Sequence, residues 1–158
     1  MHGLTYTAVT LADFDDLVAI RIAAMRESLE RVGRFNPERA RERLRNSFYP
    51  AHTQLILIDE KRNGFYTLRP AEGCLILDHL YVLPQEQSRG IGSQVMQRIL
   101  ATADELQLPI HLNALRESAS NRFYQRHGFA QMREDEWDVY YMRAADRQDT
   151  PPADTHAA

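Results

Sequence analysis

The spacing of apolar positions changes several times along the chain, and each change predicts an element. Leu4 to Val9 is short and rich in Thr, Tyr and Val, which suits a strand. From Leu11 to Val32, the residues Phe14, Leu17, Val18, Ile22, Met25, Leu29 and Val32 recur at helical steps. Thr10 reads as the N-cap of that helix, Asp13 takes its third position and Gly33 ends it. Asn36-Pro37 is an N-cap and first-turn pair, so a short second helix runs from Pro37 to about Asn46. Gln54 to Ile58 is a strand, and the Asn63-Gly64 dipeptide predicts a turn over residues 59–64. Phe65 to Leu68 returns, residues 69–73 turn again, and the apolar run Leu75 to Leu83 completes an antiparallel meander.

Beyond Pro84 the pattern turns polar, then helical. Val95, Met96, Ile99, Leu100, Ala103 and Leu106 form one face of a helix starting at Ile91. Ile110 to Leu112 begins another strand, and a helix linking it to strand 74–84 makes those two strands parallel. Ser118 is the expected N-cap of a short helix, with Asn121 at its third position and Gly128 as its stop. Phe129 to Met132 and Trp137 to Met142 are late strands around an acidic turn, 134–136. The predicted class is α/β: a mixed, mostly antiparallel sheet of about seven strands with one parallel pair, and about four helices. Residues 1–143 form one domain, and the tail 144–158, with Pro151-Pro152, is expected to be disordered.

Composition narrows the function classes. At 158 residues, 44% hydrophobic and 26% charged, the chain is long enough for one cored domain. A net charge of −3 provides no global basic field for nucleic acid. The single cysteine, Cys74, excludes an internal disulfide and a cysteine-rich zinc site, and beside an apolar run it is expected to be a buried, inert thiol. No signal peptide or membrane-length apolar run stands out, so a soluble cytoplasmic protein is the expectation. The histidines have no metal-ligand spacing, and no Gly-x-Ser-x-Gly nucleophile motif is present.

Two stretches carry chemistry. Gln87-Ser88-Arg89-Gly90-Ile91-Gly92 lies between an apolar strand and a helix. Free N–H groups from about Arg89 to Ser93 would suit a pyrophosphate at a helix N-terminus. No Gly-Lys-Ser/Thr follows, which excludes a Walker loop, and the third glycine of a dinucleotide fingerprint is missing. The arginines of the second helix, Arg39, Arg41, Arg43 and Arg45, alternate sides and are diluted by Glu38 and Glu42. They read as a solvated, ion-paired face or, in a sharper reading, as a holder for an acidic substrate or anionic partner.

Taken together, Val82-Leu83-Pro84 with QSRGIG, Asn113-Ala114, and the run Asn121 to Phe129 (NRFYQRHGF) resemble motifs A and B of the GCN5-related N-acetyltransferase (GNAT) superfamily. The resemblance and the element order extend over nearly the whole chain to about Arg143. The resemblance implies a GNAT fold in which strand 74–84 carries a bulge and splays from strand 110–115. It implies acetyl-CoA as cofactor, with pantetheine held by backbone of Leu80, Tyr81, Val82 and Leu83. Gln87, Ser88, Arg89, Gly90, Ile91, Gly92 and Ser93 would surround the pyrophosphate. Asn113 and Asn121 would contact the cofactor, and Tyr124 would stand at the thioester sulfur as general acid.

The implied activity is direct acetyl transfer to an amine of a small molecule, peptide or protein. The rival is a non-catalytic acyl-CoA-binding sensor or regulatory domain. A fixed backbone donor for the oxyanion and a phenol for the departing thiolate fit that chemistry. For the base, Asp78 and His79 interrupt the apolar strand and would face opposite sides unless a bulge breaks the alternation. Asp78 is either that base, an ammonium ligand or a structural carboxylate. Glu117 is a third candidate, and Glu27 and Glu30 could line the acceptor pocket. By resemblance alone, a homodimer through the late strands is a further possibility.

Overall fold

The computed structural model describes residues 3–87 and 89–146. The expected tail from 147 onward, and Ser88, lie outside the described residues. The chain forms β1 (Leu4–Ala8), α1 (Phe14–Arg31), α2 (Pro37–Asn46), β2 (Thr53–Ile58), β3 (Lys61–Ala71), β4 (Cys74–Val82), α3 (Ile91–Leu106), β5 (Ile110–Leu115), α4 (Ser120–Arg126), β6 (Ala130–Glu134) and β7 (Asp138–Arg143). Three short 3-10 turns join them. The seven strands make one sheet in the order β1-β2-β3-β4-β5-β7-β6. All neighbours are antiparallel except β4 and β5. This is the fold class read from the pattern.

The sheet is covered on both faces. Val95, Met96, Ile99 and Ala103 of α3 are fully buried against one face, together with Tyr124 of α4. Each of the larger three contributes about 1.5–3 kcal/mol by that burial. Leu17, Val18 and Ile20 of α1 and Leu44 of α2 pack with Leu55 and Phe65 on the other face. The caps follow the sequence: the Asp13 carboxylate accepts the Thr10 N–H at 2.9 Å, and the Asn36 side chain accepts the Arg39 N–H at 3.1 Å.

Two predicted turns are displaced. The β2–β3 hairpin turns at Asp59-Glu60, whose φ angles are 51° and 69°, and Asn63-Gly64 lies inside β3 instead. Gly64 serves close approach there: a Cβ would collide with the Tyr81 carbonyl oxygen of β4. Residues 69–71 likewise continue β3, and only Glu72-Gly73 turn. Helix α4 begins at Ser120, because Ser118 bonds the Leu115 carbonyl at 2.8 Å and closes the loop before it. Cys74, expected to be buried, is half-buried at the start of β4. Among the described residues no helix is long and apolar enough to cross a membrane.

Candidate active site

The site begins where β4 departs from regular pairing. Against β3, Thr67 pairs with His79 but Leu68 pairs with Leu77, so Asp78 is an extra, bulged residue. The bulge shifts the alternation. Leu75 and Leu77 face the α3 side before it, and Leu80 and Val82 do so after it. Asp78 and His79 consequently both line cavities on the α1–α2 side.

On its other edge β4 pairs with β5 only at Leu75–Ile110 and Ile76–His111. Past Ile76 the strands separate, and β5 pairs onward with β7. Leu83 N–H donates to the Asn63 carbonyl at 2.8 Å. By the alternation of an antiparallel ladder, Tyr81 and Leu83 turn their polar backbone to β3, while Leu80 and Val82 turn theirs into the gap. The Val82 carbonyl accepts the Gln87 side chain there at 2.8 Å.

A cavity of about 540 Å³ fills the gap, walled by β4, β5, α1, α4 and Gly92 at the start of α3. Gly90 caps α3 at φ 79°, a left-handed conformation in which glycine is unstrained, and its carbonyl accepts the Gln94 N–H at 3.1 Å. The N–H groups of the first turn of α3 therefore have no acceptor within the helix. Arg31, Arg122 and Arg126 also line this cavity, so its charge suits phosphates.

Tyr124 lies in the wall, 8% exposed and packed against Phe123, Phe129 and Tyr141. Burial, and secondarily Tyr81, pushes its phenol well above the usual range. Among the described residues its hydroxyl has no hydrogen-bond partner, an orphaned polar atom beside an open cavity.

The other expected residues fall partly in the cavity and partly outside its lining. The Asn121 amide donates to the Leu115 and Ser118 carbonyls at 2.9 and 3.0 Å and accepts the Tyr141 hydroxyl at 2.7 Å. Its capacity is spent on holding the β5–α4 loop, and it does not line the cavity. The Ser93 hydroxyl bonds the His127 ring at 3.2 Å, and Arg89 pairs with Glu86 at 2.7 Å. The Ile91 side chain is buried in the core. Asn113 and Glu27 do line the cavity, while Glu30 pairs with Arg26 at 2.9 Å. Glu117 is not among the lining residues; its carbonyl accepts Arg31 at 3.2 Å.

A second, smaller cavity of about 140 Å³ adjoins the first under α1 and α2, and the two share Met25, Asp78, His79, Tyr81, Asn113 and Leu115. Asp78 is held by Arg69, with Oδ2 at 2.5 Å from Nε, and that guanidinium lies over Tyr49. His79 is buried, its Nε2 at 2.9 Å from the Ser47 hydroxyl and 3.3 Å from the Ser47 carbonyl. A carbonyl only accepts, so the network assigns the proton to Nε2 and leaves Nδ1 to accept the Tyr81 hydroxyl at 3.4 Å. Burial, and then Arg21, pulls the His79 pKa down to about 4, so the ring is neutral near pH 7. The Tyr81 oxygen in turn accepts Arg21 Nε at 3.3 Å.

Arg21 and Asp138 went unnoticed in the sequence. Arg21 occupies an α1 position that apolar periodicity does not flag, and Asp138 reads as part of a solvated acidic turn. Asp138 is half-buried at the start of β7, opposite Leu115, and burial raises its carboxyl pKa despite a hydrogen bond from Asn113.

A family model described as an acetyltransferase (GNAT) domain matches residues 46–131. No curated protein sequence matches. Among solved structures the chain is similar to the PaiA N-acetyltransferase of Thermoplasma acidophilum in complex with coenzyme A, with TM-score 0.74 and 14% identity over 90% of this chain and 99% of that one. It is also similar to an acetyltransferase of Thermus thermophilus, with TM-score 0.72 and 19% identity over 91% and 99%. Ard1 of Thermoplasma volcanium gives TM-score 0.67 at 15% identity over 91% and 99%. At these identities the likeness is one of fold.

Proposed function

The chain belongs to the GNAT acetyltransferase family, and we propose that it transfers an acetyl group from acetyl-CoA to an amine by direct attack. The observation that carries this is the buried, unpartnered Tyr124 hydroxyl at the cavity between the splayed β4 and β5. The cavity, the free β4 edge and the α3 N-terminus fit the cofactor's thioester arm and pyrophosphate. When bound, acetyl-CoA supplies an electrophilic thioester carbonyl and a thiol leaving group.

The amine nitrogen gains a bond to that carbonyl carbon as the C–S bond breaks; one proton leaves nitrogen and one is needed at sulfur. Leu80 and Val82 N–H groups face the gap and serve as fixed donors for the charge developing on oxygen. Tyr124 keeps its proton at neutral pH and donates a hydrogen bond to sulfur. As a phenol weaker than usual, it passes the proton on only as negative charge builds on the sulfur in this dry wall.

The proton leaving nitrogen goes through the Tyr81 hydroxyl to Nδ1 of His79. With a pKa of about 4, His79 cannot deprotonate a free ammonium of pKa about 10.4. It can accept a proton from the far more acidic nitrogen that exists once the new C–N bond has formed. Asp78, bound to Arg69, sets the bulge rather than taking that proton.

The test is thiol release from acetyl-CoA with a panel of amines, with product mass read in parallel. Amine-dependent release and a product heavier by one acetyl group are expected. Tight acetyl-CoA binding with no turnover on any amine would instead make the chain an acyl-CoA sensor.

A further inference from the structure

The smaller cavity carries charge that acetyl transfer itself does not require. Arg21 of α1, Arg34 of the α1–α2 loop, and Arg39 and Arg43 of α2 all line it. Arg39 and Arg43 are four residues apart and share a helix face. Arg41 turns away to Asp15, at 2.8 Å. Arg21 is 7% exposed and gives its Nε to Tyr81 and its Nη1 to the Ala40 carbonyl, a neutral oxygen in both cases. Among the described residues none of the four has a carboxylate within salt-bridge distance.

The crowding is felt: burial first, then Arg34 and Arg21, push the Arg43 guanidinium below its ordinary pKa. Two carboxylates share the lining, but Asp78 is taken by Arg69, which leaves Asp138 against four cations. Of the four only Arg21 is buried, while Arg34 is half-buried and Arg39 and Arg43 are exposed, so the cost of an uncompensated guanidinium falls on Arg21, and a ligand that brings the charge repays it.

Resting on the acetyltransferase reading above, we propose that the acceptor is a small amine carrying an anionic group, a carboxylate in an amino-acid-like molecule, which these arginines clamp. The cavity of about 140 Å³ is small for a ligand site and holds a head group rather than a nucleotide. It opens to the larger cavity at His79 and Tyr81, so an anion held by Arg21, Arg39 and Arg43 leaves the amine at the β4 bulge. The same guanidinium groups repel polyamines and lysine-rich peptides.

The experiment measures kcat/KM with acetyl-CoA for L-amino acids, their C-terminal amides, 2-aminoethyl phosphate and spermidine, in wild type, Arg39→Gln, Arg43→Gln and Arg41→Gln. Each lost charge-assisted contact is worth about tenfold. We expect carboxylates, or the aminoalkyl phosphate, to exceed the amides and spermidine by about tenfold or more. Arg39→Gln and Arg43→Gln should erase that margin through KM, and Arg41→Gln should keep it. If the phosphate leads, the same clamp holds with phosphate as the anion.

Turnover in which amides or spermidine match the carboxylates, or a margin that survives both variants, overturns this proposal and leaves the acetyltransferase reading intact. If no amine turns over, calorimetric titration of L-glutamate and inorganic phosphate into wild type and Arg43→Gln decides. Binding lost in the variant supports the clamp, and no binding to wild type overturns it.

Discussion

On the α4 side of the β4 bulge the cavity walls are strand edge, a helix N-terminus, small residues and the Tyr124 phenol, with Arg31, Arg122 and Arg126 among the lining. On the α2 side they are guanidinium groups, carboxylates and a neutral imidazole. The first set recognises the thioester arm through main chain, which any sequence with the same strand geometry supplies, and leaves side chains to the phosphates and the sulfur. The second recognises through side chains delivered from α1, α2 and β7, and changes with each substitution. A donor common to many reactions suits the first kind of wall, and an acceptor peculiar to one protein suits the second. His79 and Tyr81 stand at the junction and belong to both.

The largest way to break that division is Tyr124→Phe. If the phenol serves the leaving sulfur, kcat falls about 10²–10⁴-fold with every acceptor, while the KM of the acceptor hardly moves. Steady-state kinetics with two unlike amines checks this; a loss confined to one amine would place Tyr124 on the acceptor side.

Next in size is the response of His79 to acid. Its folded pKa of about 4 lies below the ordinary value of about 6.5, so the unfolded chain binds more protons between those limits. Its contribution to stability is complete above pH of about 6.5 and is lost as pH falls toward about 4, on the order of 3 kcal/mol. Denaturant midpoints measured across that range should fall less steeply for His79→Gln than for wild type. Parallel curves would mean that the imidazole is not held neutral at the junction.

Gly64→Ala sharpens the comparison from the scaffold. Its Cβ would meet the Tyr81 carbonyl, so β4 must shift at a cost of about 1–3 kcal/mol. Thermal unfolding should register the loss, and the KM values of both substrates should rise together because both cavities hang on this strand.

The donor side was legible because its parts are local. Gly90, Gly92 and the α3 periodicity are contiguous, and Tyr124 is named by a short motif in the next helix. The Asn121 amide has a second, structural use that the motif does not announce: it donates to the Leu115 and Ser118 carbonyls of the β5–α4 loop. On the acceptor side the second-helix arginines were legible as one possible holder of an acidic substrate, but not which of them converge. Alternating arginines on α2 gave no single stripe, and nothing in the order of residues says that Arg21, eighteen positions before Arg39, completes a cluster with it.

By itself the sequence determined the element order, the sheet class, the helix boundaries of α2 and α3 and the glycine-rich helix start. These depend on periodicity and capping, which act over a few residues. Tertiary structure decided where the hairpin turns, since Gly64 is needed for close strand contact rather than for a turn. It also decided that the bulge at Asp78 sets two successive polar side chains on one face. Finally, it brought four guanidinium groups into one small cavity, because charge density depends on distances that only packing of remote elements fixes.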